Sequence, residues 1–493
     1  MKIDDFLPAQ VERLAREKRP VALHADLDLL LVNPPPWMPL TPPLGCVALA
    51  GYLLDRGLGV QVLDLNLELL LQHPELATLW RMEQAAAWAE AERSAQLFSR
   101  LAPAVEAWAR AIVQAAPRCL GFSVMGGKQR FVRAFLTQLL ELGYEGGVLF
   151  GGPACINYGL RQELAAPLGR HERVAFVLGE GEGAALRFLD SLRKGRPVST
   201  GEGLLLLGDE SPDLRLPTGH LPLDDLPRPR FDLVPSHGYL TEALPLEWSR
   251  GCVGRCAFCD VATMWGGFRI KSAGKRLAEL EHLVGTTGTT VFTPADPALN
   301  SARRPLLELC RALVARGLAV TWSGHAVVSK LYTAEDYRLM RSAGCRHLEF
   351  GVESGSDRVL AAMGKHRTVA EAEQTLRLCH ESGIHTTLYL IVGFPGEDRD
   401  DLEASAAFLR RNRAWIDSVR SVNALYLQRE TPLWERRGSL GLEFGGAESH
   451  EGHHWSVGSN TLEERQYRVR RLLEVIDELG IPYHLAAGLD EFS

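Results

Sequence analysis

The chain has 493 residues, of which 46% are hydrophobic and 23% charged, and a formal net charge of −7. That length accommodates two or three domains with full cores, and 10 Trp and 17 Phe exclude a disordered polymer. The negative balance gives no global basic field for nucleic acid or an anionic membrane, and no apolar run reaches the roughly 20 residues that span a bilayer.

The first segment, MKIDDFLPAQVERLAREKRP, carries acids early and lacks the apolar core of a signal peptide, so a cytoplasmic location is expected. LDLLLVN follows, a continuous apolar strand of the kind buried on both faces. Then come the loop PPPWMPLTPPLG, a helix CVALAGYLLDRG and a strand VQVLDLN. After a helical, Ala-rich stretch over about 67–116, the pattern resumes with CLGFSVMGG, a helix, GVLFGGP, RVAFVLGEGEG and another helix. This alternation predicts a doubly wound, Rossmann-like α/β domain over residues 1–200, with a ligand site beyond the strand C-termini. Those ends read PPLG, SVMGG, GGP and GEGEG, turns whose glycines let backbone approach a large ligand. GEGEGA satisfies the dinucleotide pattern G-x-G-x-x-A. It follows the last strand rather than the first, however, and Glu180 and Glu182 would repel a pyrophosphate, so that reading is rejected.

Residues 201–240 include PTGHLPLDDLPRPRFDLVPSHGYL, Pro-rich and extended, which reads as an ordered strap seating the α/β domain over the unit that follows. In LEWSRGCVGRCAFCDVATMWGG, Cys252, Cys256 and Cys259 stand at C-x3-C-x2-C spacing. The other six cysteines (Cys46, Cys119, Cys155, Cys310, Cys345 and Cys379) are scattered singly and read as small buried hydrophobes. An odd total argues against a disulfide framework. Structural zinc takes four protein ligands, and the next histidine, His282, lies on a helix-like stretch. A three-thiolate loop suits a [4Fe–4S] cluster with one iron left open for a ligand, and Gly251 and Gly254 relieve crowding in it. A zinc-holding sensor module is the non-catalytic alternative.

The strands LPLEW, TVFT, LAVTWSG, HLEFGVE, HTTLYLIVGF and SVNALYL alternate with amphipathic helices, and Gly317, Gly344 and Gly383 stand where helices should end. This predicts a parallel sheet curled into a partial (β/α)6 barrel over 241–430, with functional groups at strand C-termini, where the cysteines fall. Residues 431–493 read as a closing region with an amphipathic helix, LEERQYRVRRLLEVIDELG. Within it SHEGHHWS, with His450, His453 and His454, reads as a solvent loop rather than a metal site, with a substrate-facing role as the alternative.

CVGRCAFC resembles the signature of the radical S-adenosylmethionine (SAM) enzymes, with Phe258 in the aromatic place. The resemblance implies that Cys252, Cys256 and Cys259 hold the cluster, that SAM chelates its open iron, and that a 5′-deoxyadenosyl radical abstracts hydrogen from substrate. GVESGS is similar to the family's strand-four motif, implying that Glu353 and Ser354 face SAM. LYLIVGFPGE resembles the adenine element, retaining Ile391, Gly393 and Glu397. Lys365 stands where relatives carry a partner for the SAM carboxylate, and Asp296 ends strand two, where the usual GGE motif is missing. Ser323, on the following strand, completes the implied SAM contacts.

The first domain is similar to the cobalamin-binding domains fused to radical SAM enzymes. That likeness implies cobalamin contacts at Pro43, Leu44, Gly45, Ser123, Val124, Gly151, Gly152, Gly179 and Glu180. The D-x-H-x-x-G motif is absent, so no histidine is expected on cobalt. The implied function is a class B, cobalamin-dependent radical SAM methyltransferase acting on an unactivated carbon of a small-molecule or peptide substrate. An electron donor such as flavodoxin or ferredoxin is implied, and no nucleic acid. Cyclisation, ring contraction or another rearrangement with the same cofactors is the alternative.

Overall fold

The computed structural model describes residues 7–18, 20–81, 84–169, 173–209, 220–235, 238–444 and 452–485. Two compact units meet in sequence at Glu242 and Ala243.

The first unit is built on a six-stranded sheet of order β2-β1-β3-β4-β5-β6. Its strands are β1 (Leu29–Val32), β2 (Val60–Leu63), β3 (Cys119–Ser123), β4 (Gly147–Gly151), β5 (Val174–Val177) and β6 (Leu204–Leu206). β1 to β5 run parallel, and β6 pairs antiparallel with β5. β1 is buried at every residue, which is why it reads as an unbroken apolar run. Phe122, Phe150 and Phe176 stack across β3, β4 and β5, with ring centroids 5.8 and 5.1 Å apart. The helices are α1 (Leu7–Glu17), α2 (Leu44–Leu54), α3 (Leu65–Gln72), α4 (Ala86–Ala89), α5 (Ala91–Ala115), α6 (Gln129–Glu141), α7 (Tyr158–Ala165) and α8 (Gly181–Lys194). α2 packs with α8, while α5, α6 and α7 pack in succession. The chain steps from β1 outward to β2 and returns past β1 to β3, so the strand order reverses between β1 and β3. Ligands of doubly wound sheets bind beyond the strand ends at such a point.

The described part of the strap packs on this unit. Arg230 N–H donates to Val47 O, Leu240 N–H to Pro39 O, and Tyr239 OH to Asp64. Gly51 lies so close beneath it that a Cβ would sit 2.6 Å from Arg228 O.

The second unit carries a seven-stranded sheet of order β17-β14-β13-β12-β11-β10-β7. The strands are β7 (Leu244–Leu246), β10 (Val291–Pro294), β11 (Thr321–Ala326), β12 (Cys345–Glu353), β13 (His385–Val392), β14 (Ser418–Ala424) and β17 (Tyr483–Leu485), all parallel. A short antiparallel pair, β8 (Ser249–Arg250) and β9 (Arg269–Ile270), flanks the cysteine loop, and a second pair joins β15 (Glu443–Phe444) to β16 (Trp455–Ser456). The helices are α9 (Val261–Trp265), α10 (Ala273–Thr287), α11 (Arg303–Arg316), α12 (Ala334–Ser342), α13 (Asp357–Ala362), α14 (Val369–Glu381), α15 (Arg399–Arg411), α16 (Pro432–Glu435) and α17 (Leu462–Glu478). Capping boxes open α12, α14 and α15. Gly317, Gly344 and Gly383 end α11, α12 and α14 at φ of +61°, +98° and +77°, a conformation glycine adopts without steric cost.

Two features differ from the expectation. The sheet gains a seventh strand, β17, which pairs with β14 at Val419↔Tyr483 and Ser421↔Leu485. Three residues are too few to show a strand period. The second difference is SHEGHHWS, whose His450 lies outside the described residues. Its later part is no solvent loop: Trp455 is buried, the His453 ring lies 4.9 Å from that of Tyr426, and Leu427 N–H donates to Gly452 O. Apolar burial of Trp455 draws the segment inward.

Candidate functional site

The cysteine loop leaves the carboxyl end of β7. Gly251, at φ +80°, is required there, because a Cβ would lie 2.1 Å from Gly267 O. Gly254 sits between two thiols: a Cβ would be 3.5 Å from Cys252 Sγ and 3.7 Å from Cys256 Sγ, and its N–H donates to Cys252 Sγ at 3.3 Å. All three cysteines are half-buried. Burial pushes the Cys259 thiol up to about 11, with Asp260 and the other two thiols adding to the rise. Burial also raises Cys256, opposed by Lys365 and reinforced by Glu353. A bound metal would supply, in place of the proton, the positive charge that these buried thiolates need.

The donor set fits an iron–sulfur cluster. Three thiolates leave a tetrahedral ion one ligand short, whereas a cubane takes one thiolate per iron. Among the described residues no three His, Cys, Asp or Glu side chains close on a single-ion position.

One core holds the loop. Ala257 N–H donates to Met363 O, and Leu433 N–H to Ala257 O. Ala257 is buried with Val359, Met363, Phe394, Leu433 and Trp455, and Phe258 and Ile391 pack against this group. Two implied SAM residues from distant parts of the sequence thus pack on the core that holds the cysteine loop. Glu353 ends β12 at φ +67°, and its Oε1 accepts from Lys365 Nζ at 2.9 Å. Lys365 also donates to Gly351 O at 2.5 Å. Burial would lower the Lys365 pKa, but Glu353 and Cys256 raise it above the usual lysine value.

Other implied SAM residues are engaged elsewhere. Ser354 Oγ accepts from Ser356 N–H at 3.1 Å and lies 3.3 Å from Ser405 Oγ on α15. Asp296, 1% exposed, accepts from Trp248 N–H at 3.1 Å and from the Ser249 hydroxyl. Burial pushes it up to about 6. It thereby ties β10 to the approach to the cysteines. Ser323 is half-buried on β11, in register with His347. Gly393, at φ +80°, begins the turn after β13, and Glu397 folds back on that turn, accepting from the N–H groups of Gly393 and Phe394.

In the first unit, Gly45 and Gly151 leave open space: a Cβ on Gly45 would meet nothing within 4 Å, and on Gly151 only Val177 Cβ at 3.8 Å. That is room a bulky ligand can approach at the strand ends. Gly152 is closed differently, at φ +103° with a Cβ position 2.5 Å from Val124 O. Val124 N–H donates to Gly151 O, and Ser123 is half-buried at the end of β3. Pro43 caps α2, whose first residues are Leu44 and Gly45. Gly179, at φ +80°, precedes Glu180, the N-cap of α8, whose Oε1 lies 2.8 Å from His220 Nδ1.

Two groups escaped sequence reasoning. At the β1/β3 reversal, Lys128 Nζ donates to Asn33 Oδ1 at 2.7 Å, Asn33 Nδ2 donates to Asp64 Oδ1 at 2.9 Å, and Tyr239 OH donates to Asp64 Oδ2 at 2.9 Å. Burial brings Lys128 down to about 8 and raises Asp64. The strand-end position of Asn33 and Asp64, each after an apolar run, was the available signal. In the second unit, Tyr389 OH donates to Glu349, and His325 Nδ1 lies 3.6 Å from Glu349 Oε2. These three share the strand face opposite the buried Leu348, Phe350 and Leu388.

Residues 246–409 match the Radical SAM superfamily, so the second unit contains a radical SAM domain. Most of the chain shares its fold with solved radical SAM enzymes that bind cobalamin. TsrM from Kitasatospora setae, a radical SAM methyltransferase solved with tryptophan substrate and a SAM analogue, superposes with a TM-score of 0.68 at 18% identity, over 94% of this chain and 92% of that one. OxsB, a cobalamin-dependent SAM radical enzyme, gives 0.63 at 17% identity over 84% and 60%. In sequence, the chain is 27% identical to an uncharacterised methyltransferase of Pyrococcus horikoshii, over 48% of this chain and 52% of that protein. It is also 27% identical to the anaerobic magnesium-protoporphyrin IX monomethyl ester cyclase of Rubrivivax gelatinosus, over 48% and 44%. The chain thus spans about half the length of the curated relatives it matches. No helix among the described residues is long and apolar enough to cross a membrane.

Proposed function

We propose that this protein is a cobalamin-dependent radical SAM methyltransferase that adds a methyl group to an unactivated carbon. The observation that carries the reading is the pairing, in one chain, of a three-thiol loop beside the Glu353–Lys365 pair with a doubly wound unit whose strand ends are open at Gly45 and Gly151. The fold shared with TsrM over nearly the full length supports it.

Cys252, Cys256 and Cys259 would hold the cluster, Lys365 and Glu353 would bind the carboxylate and amino groups of SAM, and Phe258, Ile391 and the turn at Gly393 would frame its adenosine. Gly45, Ser123, Gly151 and Gly179 would admit cobalamin. When bound, these groups supply a hydrogen-abstracting radical and a transferable methyl group. The chain's own work is to bind, orient and exclude water. Gly254 N–H would stabilise a thiolate, and the apolar group around Ala257 and Phe394 backs the loop with a dry wall. The face carrying His325, Glu349 and Tyr389 would hydrogen-bond a small-molecule or peptide substrate. A flavodoxin or ferredoxin would supply electrons.

With reductant, SAM, hydroxocobalamin and substrate, 5′-deoxyadenosine and S-adenosylhomocysteine should form in equal amounts, and label from methyl-SAM should enter the product. Deoxyadenosine without S-adenosylhomocysteine, and no added methyl mass, would favour the second reading. That reading is cyclisation or rearrangement with the same cofactors, supported by the likeness to the anaerobic cyclase.

A further inference from the structure

We propose that Arg468 and Arg465 of α17 are positioning residues for SAM, acting through the Gly393–Glu397 turn. The inference rests on the radical SAM reading above and extends it to a helix outside the matched domain.

The contacts are specific and buried. Arg468 Nη1 donates to Glu397 O at 3.1 Å and lies 3.4 Å from Glu397 Oε2. The same carboxylate oxygen accepts from Gly393 and Phe394 N–H, so the arginine fixes the group that folds the turn. Arg468 Nε is held in turn by Glu464 at 3.2 Å.

Three residues earlier on α17, Arg465 lies flat against the other side of the turn. A Cβ on Gly393 would sit 2.3 Å from Arg465 Cγ and 2.4 Å from its Cδ. Residues three apart share a helix face, so the two arginines grip one target. The Arg465 head is anchored away from the turn, donating to His453 O at 2.7 Å and Trp455 O at 2.8 Å, with its guanidinium 3.8 Å over the Trp455 ring. Asn460 Nδ2 completes the clamp by donating to Gly393 O at 2.9 Å. Both arginines are buried. Buried charges this costly to desolvate are poor stabilisers compared with an apolar pair; what they add is a fixed geometry for the five residues of the turn, Phe394 among them, beside Ile391.

The test uses the reconstituted full chain, with SAM as probe and reductive cleavage to 5′-deoxyadenosine as the rate. Arg468→Met keeps the side-chain volume and removes the donors. It should raise KM for SAM about tenfold or more, the scale of a lost hydrogen bond to a charged group. Cluster iron content and kcat at saturating SAM should be unchanged. Arg468→Lys should recover part of the loss. Arg470→Met, on the exposed side of the same helix, should match the parent. Should Arg468→Met fold poorly, the Glu397→Gln, Arg468→Met pair removes both charges at the turn, leaves Glu464 its contact with Arg399, and should show the same KM rise. Unchanged KM in these variants, with cluster and SAM bound normally by the parent, overturns the positioning role alone. A parent that holds no cluster or binds no SAM overturns the radical SAM reading, and this inference with it.

Discussion

Lys365 Nζ and Glu353 Oε1 meet at 2.9 Å only because residue 351 is glycine: a Cβ there would stand 2.5 Å from the Glu353 oxygen and 3.2 Å from the lysine nitrogen. The pair is set at the end of β12, where the register shifts between Gly351 and Glu353 and φ of Glu353 reaches +67°. Backbone strain at such a point needs compensation from its surroundings, and the ion pair provides it.

Removing one partner therefore has two expected effects. Lys365→Met should leave Glu353 buried and unpaired and cost about 3 kcal/mol of stability. It should also weaken SAM binding at least tenfold while cluster iron stays at the parent level, since neither residue is a thiolate. Thermal melting, SAM titration and iron analysis check this. Normal SAM affinity in both Lys365→Met and Glu353→Gln would remove these residues from the SAM site.

The cluster prediction can be made without touching a cysteine. Gly251→Ala places a Cβ against Gly267 O, so anaerobic reconstitution should yield far fewer than the roughly four irons expected of one cubane. The triple Cys→Ala variant should yield none. Full iron in the triple variant would end the assignment.

Gly151 and Gly152 separate ligand access from fold. Gly151→Leu projects into open space and should leave the melting temperature near that of the parent while abolishing retention of hydroxocobalamin through gel filtration. Gly152→Leu meets Val124 O and a positive φ, so it should lower the melting temperature as well. In the parent, electron paramagnetic resonance of cobalt(II) should show no coupling to a protein histidine nitrogen. Retention by Gly151→Leu equal to the parent would place the ligand elsewhere.

Asp296 gives a pH signature. Its native pKa, raised by burial from 3.8 to about 6, means the folded chain holds a proton that the unfolded chain has released. Its contribution to stability is present below about 4 and is lost as pH rises to about 6, on the order of 3 kcal/mol in all. Asp296→Asn cannot ionise. The melting temperature of the variant minus that of the parent should climb from pH 4 to 6 and then level off. A difference that is flat with pH would contradict this.

The strands were legible where burial on both faces left unbroken apolar runs, as at Leu29–Val32, and the cysteines where their spacing was anomalous. The rest depended on distance in sequence. Lys128 and Asp64 join through Asn33, three positions whose proximity only the strand order creates. Arg465 and Arg468 lie in a stretch that reads only as a closing amphipathic helix, because nothing in RQYRVRR says that Gly393 will lie beneath it. Ser354 matched a motif, yet its hydroxyl serves the start of α13, a local demand that a motif does not record.

The walls of the cysteine loop have a consequence for synthesis. Ala257 is hydrogen-bonded to Met363 and Leu433 and shares one core with Trp455, all of which leave the ribosome long after Cys259. Contacts this distant in sequence form late, since closing the intervening chain costs entropy before any contact repays it. The thiols must therefore wait, reduced and open to water, until residues near 455 are made. Iron delivery belongs after that point, and a chain stalled before it presents three reactive sulfurs to any oxidant.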